Sequence, residues 1–385
     1  MSSSFQLPTK YRNWALTLVG AGILSTVLGF IFSPTNVWIS LHIGAIYFLS
    51  AALFGSFIIA VAEVSSAAWL APYKSVAECM TSFLVPGGVL LIVSSLGGAH
   101  TLFEWTHAEA ALHHPVLAEK QAYLNIPFFL TRLIVFVGLW VWLSQKLIKA
   151  SRNQSPNRVK WAVIFLVVFA FTFSFASFDW IMSIEPHWYS TIFALYCFSG
   201  FFVAGVSCLT IAVFVLDKRG FLSGVINENH YHDLGKFLFG FSTFWAYIWL
   251  SQYLLIWYTN IPEETTYYLL RTHNDWDWLF YFNLVLNWII PFFVLMPRAM
   301  KRNREVLLRV GICLLIGRWL DLFVLIAPKV FESSKVTGPS IGWVEVGIGL
   351  GFGGFFVLVC AAALAKHRHI PKEDVYFEEG LHLTQ

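Results

Sequence analysis

Charged residues are scarce in this chain. Asp, Glu, Lys and Arg make up 12% of its 385 residues, whereas 57% are hydrophobic and the mean hydropathy is +0.66. Soluble globular domains carry about a quarter charged residues. The composition therefore excludes an ordinary soluble domain and predicts an integral membrane protein, with lipids and not nucleic acid as its surroundings.

Cysteine motifs are also missing. The five cysteines are isolated from one another: Cys79, Cys197, Cys208, Cys313 and Cys360. Without CxxC, CxxCH or a zinc-ligand spacing, the chain is expected to bind no metal, no iron–sulfur cluster and no c-type haem of its own. Haem b needs paired histidines inside the membrane, and only His42 lies within an apolar run, so haem b is not expected either.

Long apolar runs dominate what is present. Crossing a hydrocarbon core of ~30 Å takes about 20 residues. Ten runs qualify, at residues 14–32, 39–62, 80–98, 127–147, 161–178, 189–216, 235–258, 279–297, 306–327 and 341–365. We expect an all-α membrane domain of ten helices over residues 14–365, with tails at 1–13 and 366–385. The first run has no small-x-small cleavage signature and is expected to remain as helix one.

The distribution of basic residues predicts the orientation. If both termini are cytoplasmic, 19 of the 25 Lys and Arg fall on the cytoplasmic side, as the positive-inside rule requires. Twelve of the 22 Asp and Glu and seven of the 12 His fall on the outer side or in the outer half. An acidic, histidine-rich outer face is where we expect chemistry or a docked partner, although acids also avoid the cytoplasmic leaflet for simpler reasons.

A pattern near residue 180 occurs twice. Asp179 precedes Pro186 by seven residues, and Asp321 precedes Pro328 by the same interval. Two further motifs recur: Trp38-x-Ser40 matches Trp188-x-Ser190, and Tyr47-x2-Ser50 matches Tyr196-x2-Ser199. In the long loops, Trp105-Thr106-His107 matches Arg271-Thr272-His273. We expect two parallel four-helix repeats, at about residues 37–178 and 188–327, flanked by helices 14–32 and 341–365. Chance similarity between apolar segments is the alternative.

Ionisable residues in or near the outer half are the first functional candidates, since charge near hydrocarbon is costly and usually functional. We interpret Asp179, His42 and His187 as candidate proton acceptors, because oxidation of a quinol releases protons that such groups can take up. The same groups would suit a proton-coupled transporter. The simpler interpretation of Asp179 is a solvated carboxylate or the ion-pair partner of Arg132. The simpler interpretation of His42 is a neutral core histidine bonded to a carbonyl.

Further residues are candidates for a proton path: Arg132, Arg318, Asp321, Glu345, Glu63 and Glu78. Arg318 and Asp321 share a helix face, so an internal ion pair is the simpler interpretation. Glu63 and Glu78 flank a turn on the inner side, where solvation at helix ends is the commoner explanation. The glycine-rich stretch from Gly347 to Gly354 predicts close helix packing.

The segment FDWIMSIEPHWYSTIF, residues 178–193, together with the ten-helix pattern, resembles the NrfD-like (polysulfide-reductase) superfamily of membrane subunits. The similarity is greatest to the second such subunit of bacterial alternative complex III. The resemblance implies a subunit of a quinol:electron-acceptor oxidoreductase in the bacterial inner membrane. It also implies a paralogous membrane subunit, outer-face subunits holding haem c and iron–sulfur clusters, and a terminal oxidase.

In such complexes the paralogous subunit is the better-supported quinol site. Asp179 with His42 or His187 would match its Asp and His by position only, so the chain either binds quinone or menaquinone or serves proton transfer and structure. Two alternatives remain open, a stand-alone proton-coupled secondary transporter and a purely structural scaffold.

Overall fold

The computed structural model describes residues 6–107, 115–273, 275–336, 338–366 and 374–383. Within these ranges there is no β-strand, and nine helices are long and apolar enough to cross a membrane. The all-α prediction is confirmed. The predicted tails at 1–13 and 366–385 fall partly on residues 1–5, 367–373 and 384–385, outside the described residues.

Ten long helices correspond to the ten apolar runs. They are α1 (Thr9–Phe32), α2 (Pro34–Ser65), α3 (Ala68–Gly97), α4 (Ile126–Arg152), α5 (Arg158–Trp180), α6 (Phe193–Lys218), α7 (Glu228–Thr259), α8 (Asp277–Leu295), α9 (Arg304–Ser333) and α10 (Trp343–Lys366). α3 begins with 3-10 turns, and α8 contains a π-helical segment, Val285–Ile289. α7 is 32 residues long but is not among the nine apolar spans, because Ser, Thr, Gln, Tyr and Trp interrupt its run.

Three helices form the centre of the molecule. About three quarters of the most apolar 18-residue stretch is buried in each of α2, α6 and α9, against 17% in α1. Helices α2 to α5 pack in a ring, α6 to α9 pack in a second ring, and α2 contacts both α6 and α9. α10 lies against α2, and α1 packs mainly on α10.

The glycine-rich stretch of α10 brings α1 close, as its composition predicts. A Cβ added at Gly351 would lie 2.7 Å from the Cα of Gly22 in α1. The two backbones therefore approach as closely as they do because both positions lack a side chain. By contrast, a Cβ at Gly349 would meet only the Trp319 indole at 3.5 Å, so Gly349 lies outside this contact.

The loops form two faces. On the tail face, residues 374–383 pack against the segment Ala68–Tyr73 and the start of α7. On the opposite side, the long-loop face, the Lys120 ammonium donates to the Pro186 carbonyl at 2.6 Å, and Lys329 Nζ lies 3.6 Å from Glu104. These contacts bring together the segments that follow α3 and α5 and the end of α9.

Candidate functional site

Asp179 is buried and paired with Arg132. Asp179 lies in the last turn of α5 and is fully buried, while Arg132 lies near the start of α4. The guanidinium Nε donates to one carboxylate oxygen at 2.7 Å and Nη2 donates to the other at 2.9 Å. This two-point arrangement is the strong geometry for an Arg–carboxylate pair. Of the two simpler readings of Asp179, the structure selects the ion pair and not the solvated carboxylate.

Tyr123 completes the surroundings of this pair. Arg132 Nη1 donates to the Tyr123 carbonyl at 3.1 Å, and the guanidinium carbon lies 3.9 Å from the centre of the Tyr123 ring. The phenol also hydrogen-bonds to Asp179. Burial, and then the charge of Asp179, raise the pKa of Tyr123 well above its usual range, so the phenol remains a neutral hydrogen-bond donor.

His42 is a buried histidine bonded to the same helix end. Its Nε2 lies 2.9 Å from the Trp180 carbonyl, and its Nδ1 lies 3.3 Å from the Ser94 hydroxyl. The carbonyl only accepts, so Nε2 carries a hydrogen, while the Ser94 hydroxyl beside Nδ1 donates to the Leu91 carbonyl at 3.1 Å. His42 is therefore the carbonyl-bonded core histidine that the simpler interpretation describes, one residue away from Asp179 along the Trp180 backbone.

Arg318 and Asp321 form a second buried pair, on α9. Both are buried on α9 and are bonded to each other. Asp321 also accepts from the Tyr196 hydroxyl, from Trp245 Nε1 at 3.3 Å and from Asn283 Nδ2 at 2.8 Å. Four donors surround the carboxylate, which is how a buried charge is accommodated. The internal ion pair expected from the i, i+3 spacing is present.

A missing side chain makes room for Arg318. A Cβ at Gly200 of α6 would lie 2.2 Å from the guanidinium carbon. Gly200 therefore fixes where the cation can lie, and any other residue there would displace it.

Polar groups extend from Asp321 into the π-helical segment of α8. Asn283 donates to Asp321 and accepts from Asn287 Nδ2 at 2.7 Å. A cavity of about 30 Å³ is lined by Arg318, Ser177 and Trp180, and one of about 10 Å³ by Tyr196, Gln252 and Asn283. The larger is big enough for water but not for an organic ligand.

His187 lies on the long-loop face, beside Glu104. Its Nε2 is 3.6 Å from Glu104 Oε1, and its side chain is 38% exposed. The other oxygen of Glu104 lies 3.6 Å from Lys329 Nζ. His187 is thus placed beside Glu104, which also lies close to Lys329.

Arg271 and Glu185 form an ion pair that the sequence patterns did not predict. Arg271 is buried in the short helix Pro262–Thr272 and donates to Glu185. Its guanidinium also lies 3.5 Å from the centre of the Tyr267 ring. Burial is the largest single effect and disfavours the charge, but Glu185, Tyr267 and Tyr268 together outweigh it and raise the pKa of Arg271 above normal. The signal in the sequence was Pro328, which frees a helix carbonyl that needs a donor.

Glu345 has a structural role. Its carboxylate accepts from Asn36 Nδ2 at 2.7 Å and from the Gly342 backbone N–H at 2.7 Å. Glu345 lies in the first turn of α10, where a carboxylate satisfies free backbone donors and interacts well with the helix dipole. It touches neither Asp179 nor Asp321.

On the tail face, Glu63 is the centre of a buried ionic cluster. Lys74 Nζ donates to Glu63 at 2.5 Å and to Asp374 at 2.7 Å, and Arg158 Nε lies 3.1 Å from Glu63. The Ser151 hydroxyl donates to the same carboxylate at 2.6 Å. Glu63 is therefore neutralised by two cations and is not a solvated helix-end acid.

Glu78 is likewise paired, with Arg152 Nε at 2.7 Å. Only 7% of the Glu78 side chain is exposed. Glu63 and Glu78 thus lie on the opposite face from Asp179 and Asp321, and both form ion pairs with residues at helix ends.

The chain matches no protein-family model and no curated protein. The structure brings together Arg132 with Asp179 and Arg318 with Asp321. Among the described residues, no group of three or more His, Cys, Asp or Glu is arranged to hold a metal ion.

Proposed function

We propose that this chain is a membrane subunit of a quinol:electron-acceptor oxidoreductase of the NrfD-like type, as in alternative complex III, located in a bacterial inner membrane with both termini cytoplasmic. The observation that supports this most is the presence of two buried ion pairs, Arg132–Asp179 and Arg318–Asp321. Each acid lies seven residues before a proline in the half that adjoins the long-loop face. A buried carboxylate held at a fixed place within a membrane span is a typical member of a proton path.

The geometry favours a role in proton transfer or a structural role, and it does not favour a quinol-binding pocket formed by these residues. The two cavities lined by residues of these networks measure about 30 and 10 Å³, far below the roughly 300 Å³ that a small-molecule site occupies. These residues do not fit a quinone ring. In the proposed complex, quinone or menaquinone would be bound by the paralogous subunit, and haem c and iron–sulfur clusters by the outer-face subunits that pass electrons toward a terminal oxidase.

The closed packing of the second pair also favours a second candidate, a purely structural subunit. Asp321 already accepts from four donors and has no free position for an incoming proton. Within the described part of the chain, the Asp179 carboxylate is bonded by Arg132 and Tyr123. Proton exchange, if this chain performs it, is therefore assigned to the first pair.

The complex itself is tested by purification from membranes in a mild detergent through a tag on this chain. We expect haem c absorbance and iron–sulfur signals in electron paramagnetic resonance to co-purify with it. A chain that purifies alone and moves a solute in proteoliposomes would contradict the proposal and support the transporter.

The role of Asp179 is tested in the intact complex with Asp179→Asn. We expect slower quinol turnover and slower proton release, whereas Asp277→Asn, an exposed acid at the start of α8, is the matched control and should leave both unchanged. Unchanged rates in Asp179→Asn would support the structural candidate.

A further inference from the structure

A large cavity lies away from the charged pairs. It has a volume of about 560 Å³ and runs between α1, α6 and α10, with Tyr11, Cys208, Ala212 and Arg219 among the residues that line it. That volume falls within the roughly 300–1,000 Å³ typical of ligand pockets. We call it the α1–α6 groove.

The walls of the groove are apolar along its length. Aliphatic and aromatic side chains of the helices predominate, and the polar groups at its deep end are already used or weak. The Tyr47 hydroxyl donates to the Leu315 carbonyl at 2.9 Å, and a cysteine thiol such as that of Cys208 is a weak donor. Nothing described there would satisfy the carbonyl oxygens of a quinone ring, so the deep part suits a hydrocarbon chain.

The groove has the depth of one membrane leaflet. Cys208 at the deep end and Lys218 at the end of α6 are ten residues apart, which is about 15 Å along a helix. Half of a ~30 Å hydrocarbon core is the same length.

The mouth of the groove is basic. Arg219 is exposed there, and its guanidinium lies 4.3 Å from the centre of the Tyr11 ring. Lys10 and Arg12 flank Tyr11 and are exposed, and no ion pair joins any of the three cations to a carboxylate within the described ranges. The nearby acids Asp217 and Glu305 are already paired with Arg304 and Lys218. The net charge at the mouth is therefore positive.

We propose that the α1–α6 groove binds one anionic phospholipid, with an acyl chain along the apolar walls and the phosphate beside Arg219 and its neighbours. The apolar walls have the depth of one leaflet and match an acyl chain, and the cations at the mouth match the phosphate. The exposed Tyr11 and Trp14 lie at the same end, where aromatic side chains meet the headgroup region.

The experiment uses the full chain, with any subunits that co-purify, in nanodiscs that hold equal amounts of phosphatidylglycerol and phosphatidylcholine. Native mass spectrometry then counts the lipids retained per chain. We expect one phosphatidylglycerol to be retained in preference to phosphatidylcholine. In Arg219→Gln the preference for phosphatidylglycerol should fall about fivefold, because one cation near the headgroups contributes about that much to the binding of an anionic lipid. Arg309→Gln, an exposed arginine at the same end of α9, is the matched control.

A second variant fills the groove. Ala212→Phe should abolish retention of both lipids, while Val163→Phe, on a lipid-facing position of α5, should not. If Ala212→Phe does not fold, Ala361→Leu fills the same space from α10. Equal retention of the two lipids, a bound quinone in place of phospholipid, or undiminished retention in the filled variants would each overturn the proposal.

Discussion

The Arg271 guanidinium donates through Nε to the Val324 carbonyl at 3.0 Å, which is the carbonyl that Pro328 leaves without a helical donor. Arg271 Nη2 also donates to the Leu325 carbonyl at 2.8 Å and to Glu185. One buried cation thus satisfies the carbonyl that lacks a donor in α9 and also forms an ion pair with the loop that follows α5.

This relationship predicts a compensating pair of substitutions. Arg271→Met removes the donor and leaves Glu185 unpaired, so we expect a loss of about 3–5 kcal/mol in the free energy of unfolding. Adding Pro328→Ala restores the backbone donor to Val324 and should recover about 1 kcal/mol of that loss. Thermal unfolding in detergent measures both effects. A recovery equal to that of Pro328→Ala in the wild-type background would show that the two residues are not coupled.

The first ion pair can be separated into its structural and chemical parts. Asp179→Leu alone leaves Arg132 buried and unpaired, and we expect it to cost about 3–5 kcal/mol of stability. The double variant Asp179→Leu with Arg132→Met should regain most of that stability, since both charges are gone. If the pair exchanges protons, quinol turnover in the intact complex stays low in the double variant although its thermal stability returns. Restored turnover would mean that the pair only supports the fold.

Docking of the C-terminal segment is expected to depend on pH through His230. Its Nδ1 accepts from the Asn227 N–H, and its Nε2 donates to the Gly380 carbonyl at 3.0 Å. Burial lowers the pKa of His230, and the opposing effects of the Gly380 carbonyl and Asp233 are smaller. The docked state therefore binds fewer protons than the undocked state. Docking is complete above the usual histidine pKa of about 6.5 and weakens as the pH falls below it.

Hydrogen exchange of residues 374–383 at about pH 7.5 and about pH 5.5 tests this expectation. Exchange should be faster at the lower pH, and His230→Gln, which keeps a donor but does not titrate, should lose the difference. His382→Gln is the control for the histidine within this segment and should behave as wild type.

Two glycines of α10 should respond differently to the same change. Gly351→Ala places a methyl group 2.7 Å from the backbone of Gly22, so α1 must move and we expect a cost of about 1–3 kcal/mol. Gly349→Ala meets only an indole edge at 3.5 Å and should be neutral or slightly stabilising, because alanine favours the helix. Thermal unfolding compares the pair, and equal losses at both sites would show that α1 does not rely on this contact.

The sequence by itself determined the class of protein and the position of the helices. Hydropathy is a local property, so a run of apolar residues long enough to span a membrane identifies a helix without knowledge of its neighbours. The glycine-rich stretch from Gly347 to Gly354 also predicted close helix packing, since small residues mark where helices approach, but it did not show which glycines make the contact. The i, i+3 spacing of Arg318 and Asp321 likewise placed both on one helix face before any packing was known.

The tertiary structure alone decided which charges meet. Arg132 and Asp179 are 47 residues apart, and Lys74 and Asp374 are 300 apart, so no local pattern links them. The contacts of Asp321 come from α6, α7 and α8, and they depend on the space that Gly200 leaves for Arg318. A buried carboxylate needs donors from whichever helices pack around it, and that packing is set by the whole fold and not by the residues on either side.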